Sequence, residues 1–92
     1  MHYKEASDFL VLTGNEVRLR ILIFIRHEPK SVAEIVDAVG VRQSAISQHL
    51  KRLRKAGIVT NQRKQTQRFY SLAPGMTEKL LIWLEREFPA RG

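Results

Sequence analysis

Four polar side chains, Gln43, Ser44, Ser47 and Gln48, recur at i, i+1, i+4 and i+5. On a helix that spacing gathers them on one face. A carboxamide carries a donor and an acceptor side by side, the pair that matches N6 and N7 of adenine, and a hydroxyl can serve several bases. Around them stand Arg42, His49, Lys51, Arg52, Arg54 and Lys55, and further along Arg63, Lys64 and Arg68. These side chains are better placed for phosphate oxygens, contacts that fix register and carry no sequence information. The chemistry on offer is non-covalent recognition of a polyanion. Ser44, Ser47 and His49 lie close in sequence, but they have no orienting acid and no oxyanion hole. No catalytic set is read, and the chain is not expected to be an enzyme.

The charge is segregated. From Ala38 to Thr77 there is no Asp or Glu, and there are eight Lys or Arg. The chain as a whole is +7, so the residues outside this interval sum to −1 (+7 minus +8). Lys51 to Lys55 alone would read as an ordinary solvated helix face. The acid-free interval, however, coincides with a distinct run of secondary structure.

That run begins at Ser31-Val32-Ala33-Glu34, a capping box opening a helix to about Val39. Gly40 ends it in a left-handed cap. After the turn Gly40-Val41-Arg42 a second helix spans about 43–56, with Ile46, Leu50 and Leu53 on its buried face and Gly57 as its stop. Two helices joined by a short Gly-containing turn form a helix-turn-helix, about 32–56. Ile58 to Arg63 and Gln67 to Leu72 are rich in β formers and predict a hairpin over about 58–72. The turn between them has no Gly, which points to a longer loop around Lys64-Gln65-Thr66. Upstream, apolar spacing predicts a helix over 3–12 and, after an Asn15 cap, a central buried helix over 16–27. Downstream a helix is predicted over 76–88.

Composition bounds the rest. With 43% hydrophobic and 27% charged residues, the chain is globular. Ninety-two residues make one domain, 1–92, with a small core. Tyr3, Phe9, Leu10, Leu80, Leu81, Trp83, Leu84 and Phe88 on the terminal helices exceed what that core needs, and the surplus is read as the interface of a homodimer. There is no cysteine, so thiolate metal sites and thiol redox sensing are excluded. The three histidines, His2, His27 and His49, lack metal-ligand spacing, so neither a metal nor another cofactor is expected. His27 at the end of its helix reads as structural. No apolar run reaches 18 residues, and the start lacks the order of a signal peptide, so a soluble cytoplasmic protein is expected.

The segment Val41-Arg42-Gln43-Ser44-Ala45-Ile46-Ser47-Gln48-His49-Leu50 through Val59 resembles the recognition segment of ArsR/SmtB-type winged-helix repressors. Arg18-Leu19-Arg20-Ile21-Leu22 and Arg68-Phe69-Tyr70-Ser71-Leu72 resemble other parts of the same family, and the likeness covers about residues 12–73. It implies a mainly α fold with a β-hairpin wing in the order ααααββα, a homodimer, and a repressor released from DNA by metal, redox state or another signal. Three departures concern the signal. Ser31-Val32-Ala33-Glu34 stands where members often have Cys-x-Cys, residues 77–88 hold no His, and no cysteine pair exists. Arg42 replaces a Ser or Thr cap, and the wing glycine is missing near Gln65. The inducer is therefore unknown.

The reading is a sequence-specific regulator that binds double-stranded DNA, a dimeric repressor on a near-palindromic operator. Gln43, Ser44, Ser47 and Gln48 read bases; Arg42, His49, Lys51, Arg52, Lys55, Arg63, Lys64 and Arg68 hold backbone. The alternatives are an architectural or partition-type DNA binder without an inducer, and a module whose basic face binds an acidic partner or anionic lipid.

Overall fold

The computed structural model describes residues 1–91. Five helices and three strands follow in the order α1 (Tyr3–Thr13), α2 (Glu16–Ile25), β1 (Lys30–Ser31), α3 (Val32–Val39), α4 (Gln43–Lys55), β2 (Val59–Lys64), β3 (Gln67–Leu72) and α5 (Met76–Glu87). Local chemistry sets most of these limits. The Asn15 side chain accepts from the Arg18 N–H at 3.1 Å and opens α2. Ser31 and Glu34 close both bonds of the capping box, with Ser31 Oγ accepting from Glu34 N–H and Glu34 Oε1 accepting from Ser31 N–H. Gly40 caps α3 at φ 76°.

The end of α4 is tied down in the same manner. Gly57 sits at φ 76°, its N–H donates to Arg54 O at 3.0 Å, and the Ile58 N–H donates to Leu53 O at 2.9 Å. This is a Schellman motif, and its usual apolar contact is supplied by Leu53 and Ile58, both buried. The turn aims the chain from α4 directly into β2.

The core is built around α2. Ile21, Leu22 and Ile25 pack with Ile35 and Val39 of α3, Ile46, Leu50 and Leu53 of α4, Ile58 and Val59 at the start of β2, and Leu81 of α5. The three-step and four-step spacing of Ile46, Leu50 and Leu53 turns the opposite face of α4 outward. This is a winged helix-turn-helix.

Four expectations need correction. The order ααααββα omits β1, which pairs antiparallel with β3 through Lys30↔Tyr70 and Ser31↔Phe69 and makes the sheet order β1-β3-β2. Two residues are too short to show a period, and their partner lies far along the chain. The wing loop is shorter than expected. Lys64 and Gln67 are paired, leaving only Gln65 and Thr66 in the turn, and Gln65 takes the φ of 58° that a glycine would ordinarily supply. Helix α2 ends at Ile25, so His27 lies beyond it and is exposed. Leu81 is 1% exposed and belongs to the core of its own chain, so it has no surface left for an interface.

Candidate nucleic-acid interface

Helix α4 places Gln43, Ser44, Ser47 and Gln48 in solvent together on the face opposite Ile46, Leu50 and Leu53. Its N-terminus is open. Arg42 occupies the cap position and makes no side-chain cap bond, while its carbonyl accepts from the N–H groups of Ala45 and Ile46 at 3.1 Å. The N–H groups of Gln43 and Ser44 therefore have no intrahelical partner, and they point where an anion would be held. Gln48, Lys51, Arg52 and Lys55 line one shallow groove on the exposed side of the helix. Arg52, Arg54 and Lys55 also fall in the last turn, where the helix dipole favours cations.

The wing adds a second basic surface. Arg63, Lys64 and Arg68 are all exposed. Arg63 Nε donates to Gln65 O at 3.1 Å, which fastens the arginine to the turn at the wing tip. Arg68 Nη1 donates to Asn61 Oδ1 at 2.9 Å. Five salt bridges occur among the described residues, and they use His2, Lys4, Arg20, Arg26 and Lys30. None of the eight cations between Ala38 and Thr77 is among them. Those eight charges remain uncompensated within the chain.

His49 packs at the edge of α4. Its ring is half-buried against α2, and its Nδ1 accepts from Arg18 Nε at 3.1 Å. Burial lowers its pKa below the ordinary 6.5, and the charges of Arg18 and Arg52 push it the same way. A ring whose cationic form is disfavoured is a weaker phosphate ligand than a charged one. Arg18 itself, 7% exposed, gained no functional role from the sequence. The available signal was an arginine set among Val17, Leu19, Ile21 and Leu22 in a largely apolar helix.

The terminal helices carry the expected apolar surface only in part. Tyr3, Leu10, Trp83 and Phe88 are exposed; Phe9, Leu80 and Leu84 are half-buried. Val11 and Met76, absent from the expected set, are 72% and 64% exposed. Among the described residues no helix is long and apolar enough to cross a membrane.

Comparison with known proteins agrees with this geometry. A family model described as "Bacterial regulatory protein, arsR family" matches residues 15–61. The HTH-type transcriptional repressor SmtB of Mycobacterium tuberculosis is 40% identical over 68 residues, covering 74% of this chain and 50% of that protein. The chain thus spans about half the length of that relative. The transcriptional activator HlyU of Vibrio cholerae is 35% identical over 82 residues, covering 89% of this chain and 76% of HlyU. The structure of reduced HlyU superposes with a TM-score of 0.89 at 31% identity, over 96% of this chain and 93% of that one. NolR from Sinorhizobium fredii superposes with a TM-score of 0.89 at 32% identity, over 97% and 89%. A family match across half of the residues, seated on the helix-turn-helix itself, leads to one conclusion: the chain belongs to the arsR family of bacterial regulatory proteins.

Proposed function

We propose that this chain is a sequence-specific regulator of transcription that binds double-stranded DNA as a homodimer and represses from a near-palindromic operator. One observation carries the reading. Eight cations with no acidic partner lie on and around a solvent-facing helix whose first turns expose amides and hydroxyls. A duplex supplies both missing complements, phosphates for the cations and base edges for Gln43, Ser44, Ser47 and Gln48. Arg42, Lys51, Arg52, Lys55, Arg63, Lys64 and Arg68 hold the backbone in this arrangement. The unpartnered apolar side chains of α1 and α5 favour a second copy, and two-fold pairing presents two recognition helices to half-sites about one helical turn apart. Repression is favoured by the name of the 40% identical relative, SmtB.

Selection of bound duplexes from a random pool at fixed salt tests the reading. A near-palindrome with half-site centres roughly 10 base pairs apart is the expected product. Gln43→Ala and Gln48→Ala should each cost about 1–3 kcal/mol on that site and relax the choice at one base pair. A bound pool without sequence preference would sink the proposal, and a long protected array in footprinting would replace it with an architectural role.

A further inference from the structure

Arg18 is the only charged residue among those buried in the described chain. Its guanidinium meets acceptors from two other helices. Nε donates to His49 Nδ1 on α4 at 3.1 Å, and Nη1 donates to the carbonyls of Leu12 at 3.3 Å and Val11 at 3.5 Å in the last turn of α1. Those carbonyls belong to the set that a helix C-terminus leaves without intrahelical partners. One side chain thus joins α1, α2 and the recognition helix.

We propose that Arg18 is a positioning residue for base recognition, seating α4 through a neutral His49. The inference rests on the reading of α4 as the DNA-recognition helix. Arginine does not give up its proton in a protein, so its Nε is always a donor. The acceptor must come from His49, whose Nδ1 can accept only when it carries no hydrogen. The remaining proton of the neutral ring is therefore on Nε2. Protonation would put an N–H where the acceptor was and set a second positive charge against a guanidinium that is buried and cannot leave cheaply. The ring would have to swing away. His49 directly follows Gln48 and lies two residues after Ser47, so a displaced ring moves the base-reading face with it.

The surroundings of His49 oppose its protonation. Burial is the largest cause, followed by Arg18 on α2 and Arg52 on its own helix. From α1 the junction receives the carbonyls of Val11 and Leu12, attached to Arg18 rather than to the ring.

The sign of the pH dependence distinguishes this role from a phosphate contact. A histidine on a phosphate binds DNA better when charged. A histidine that seats α4 through Arg18 binds its chosen duplex worse when charged.

The test measures binding of the full chain to the selected duplex and to a random duplex at constant salt, from about pH 7.5 down to the pH at which imidazole NMR shows His49 charged. The wild-type preference for the selected duplex should fall about tenfold as His49 gains its proton, the worth of one charge-assisted hydrogen bond. His49→Asn offers an amide oxygen in place of Nδ1 and does not titrate. It should keep the preference and lose the pH dependence. Arg18→Lys should lower the preference at every pH and leave random-duplex binding unchanged. Nitrogen-15 NMR of the wild-type imidazole needs no variant and should show His49 as the Nε2–H tautomer. A wild-type preference that holds or rises in acid, an Asn variant with the wild-type slope, or an Nδ1–H tautomer would each overturn the inference. Absence of any preference at any pH would instead overturn the DNA reading, and the inference with it.

Discussion

Arg63 and Arg68 stand directly opposite each other in the β2–β3 ladder, two like charges on one face of the wing. Opposed like charges destabilise a strand pair. Each is drawn aside by a local acceptor, Gln65 O for Arg63 and Asn61 Oδ1 for Arg68. A polyanion lying along the wing would offset the repulsion that remains. Arg63→Ala is therefore expected to weaken binding to all duplexes alike and to flatten the log–log salt dependence by about one unit. The same change should raise the melting temperature of the free protein slightly. Salt titrations and thermal melts check the two halves. A loss confined to one sequence would move Arg63 from backbone contact to base reading.

Gln65 carries a second cost in the same turn. Its φ of 58° lies in the left-handed region, where a side chain is disfavoured. Gln65→Gly should stabilise the free protein by about 0.5–1 kcal/mol, the strain relieved less the extra freedom of glycine in the unfolded chain. The midpoint of urea unfolding reports it. A lower midpoint would show that the Gln65 side chain contributes contacts that outweigh its backbone strain.

The capping box gives α3 a pH signature. The Ser31 N–H, and then the Ser31 hydroxyl, lower the pKa of Glu34 below its ordinary 4.5. A carboxyl depressed in the folded state adds stability that is complete above 4.5 and disappears as pH falls through its folded value. Ser31→Ala should cost about 1 kcal/mol near neutral pH. It also removes the hydroxyl's part of the shift but keeps the larger part, from the backbone N–H, so the gap in melting temperature between the two proteins should narrow only in part below pH 4.5. A gap of constant width from neutral to acid would show that the Ser31 hydroxyl contributes nothing to the Glu34 shift.

Leu81 and Trp83 are two residues apart on α5 and should fail differently. Leu81 is 1% exposed, and Leu81→Ala should destabilise the fold by about 2–5 kcal/mol. Trp83 is 52% exposed beside other uncovered apolar groups. Trp83→Glu should leave the helical circular dichroism intact, convert the protein to monomers in sedimentation, and weaken binding to a palindrome far more than to a single half-site. An unchanged sedimentation coefficient would remove α5 from the proposed subunit contact.

Much of this molecule is written in short-range pattern. Asn15, the Ser31–Glu34 pair, Gly40 and Gly57 fix helix limits within a few residues of themselves, because caps satisfy backbone groups locally. The apolar spacing of Ile46, Leu50 and Leu53 decides which side of α4 is buried, and so leaves Gln43, Ser44, Ser47 and Gln48 outside. The acid-free interval is a property of composition alone. Other features depend on residues distant in the chain. Strand β1 exists because Ser31 meets Phe69, and two residues carry no period that could announce it. Leu80, Leu81 and Trp83 look alike in a helical pattern, and only the rotation of α5 against the core separates Leu81 from its neighbours. The link between Arg18 and His49 joins positions 31 residues apart, and packing of α2 on α4 alone brings their nitrogens to 3.1 Å. Local hydrogen bonding and periodicity wrote the elements and the exposed face of α4 into the sequence; tertiary packing decided which charged and aromatic groups are sealed inside, because burial depends on what arrives from elsewhere in the chain.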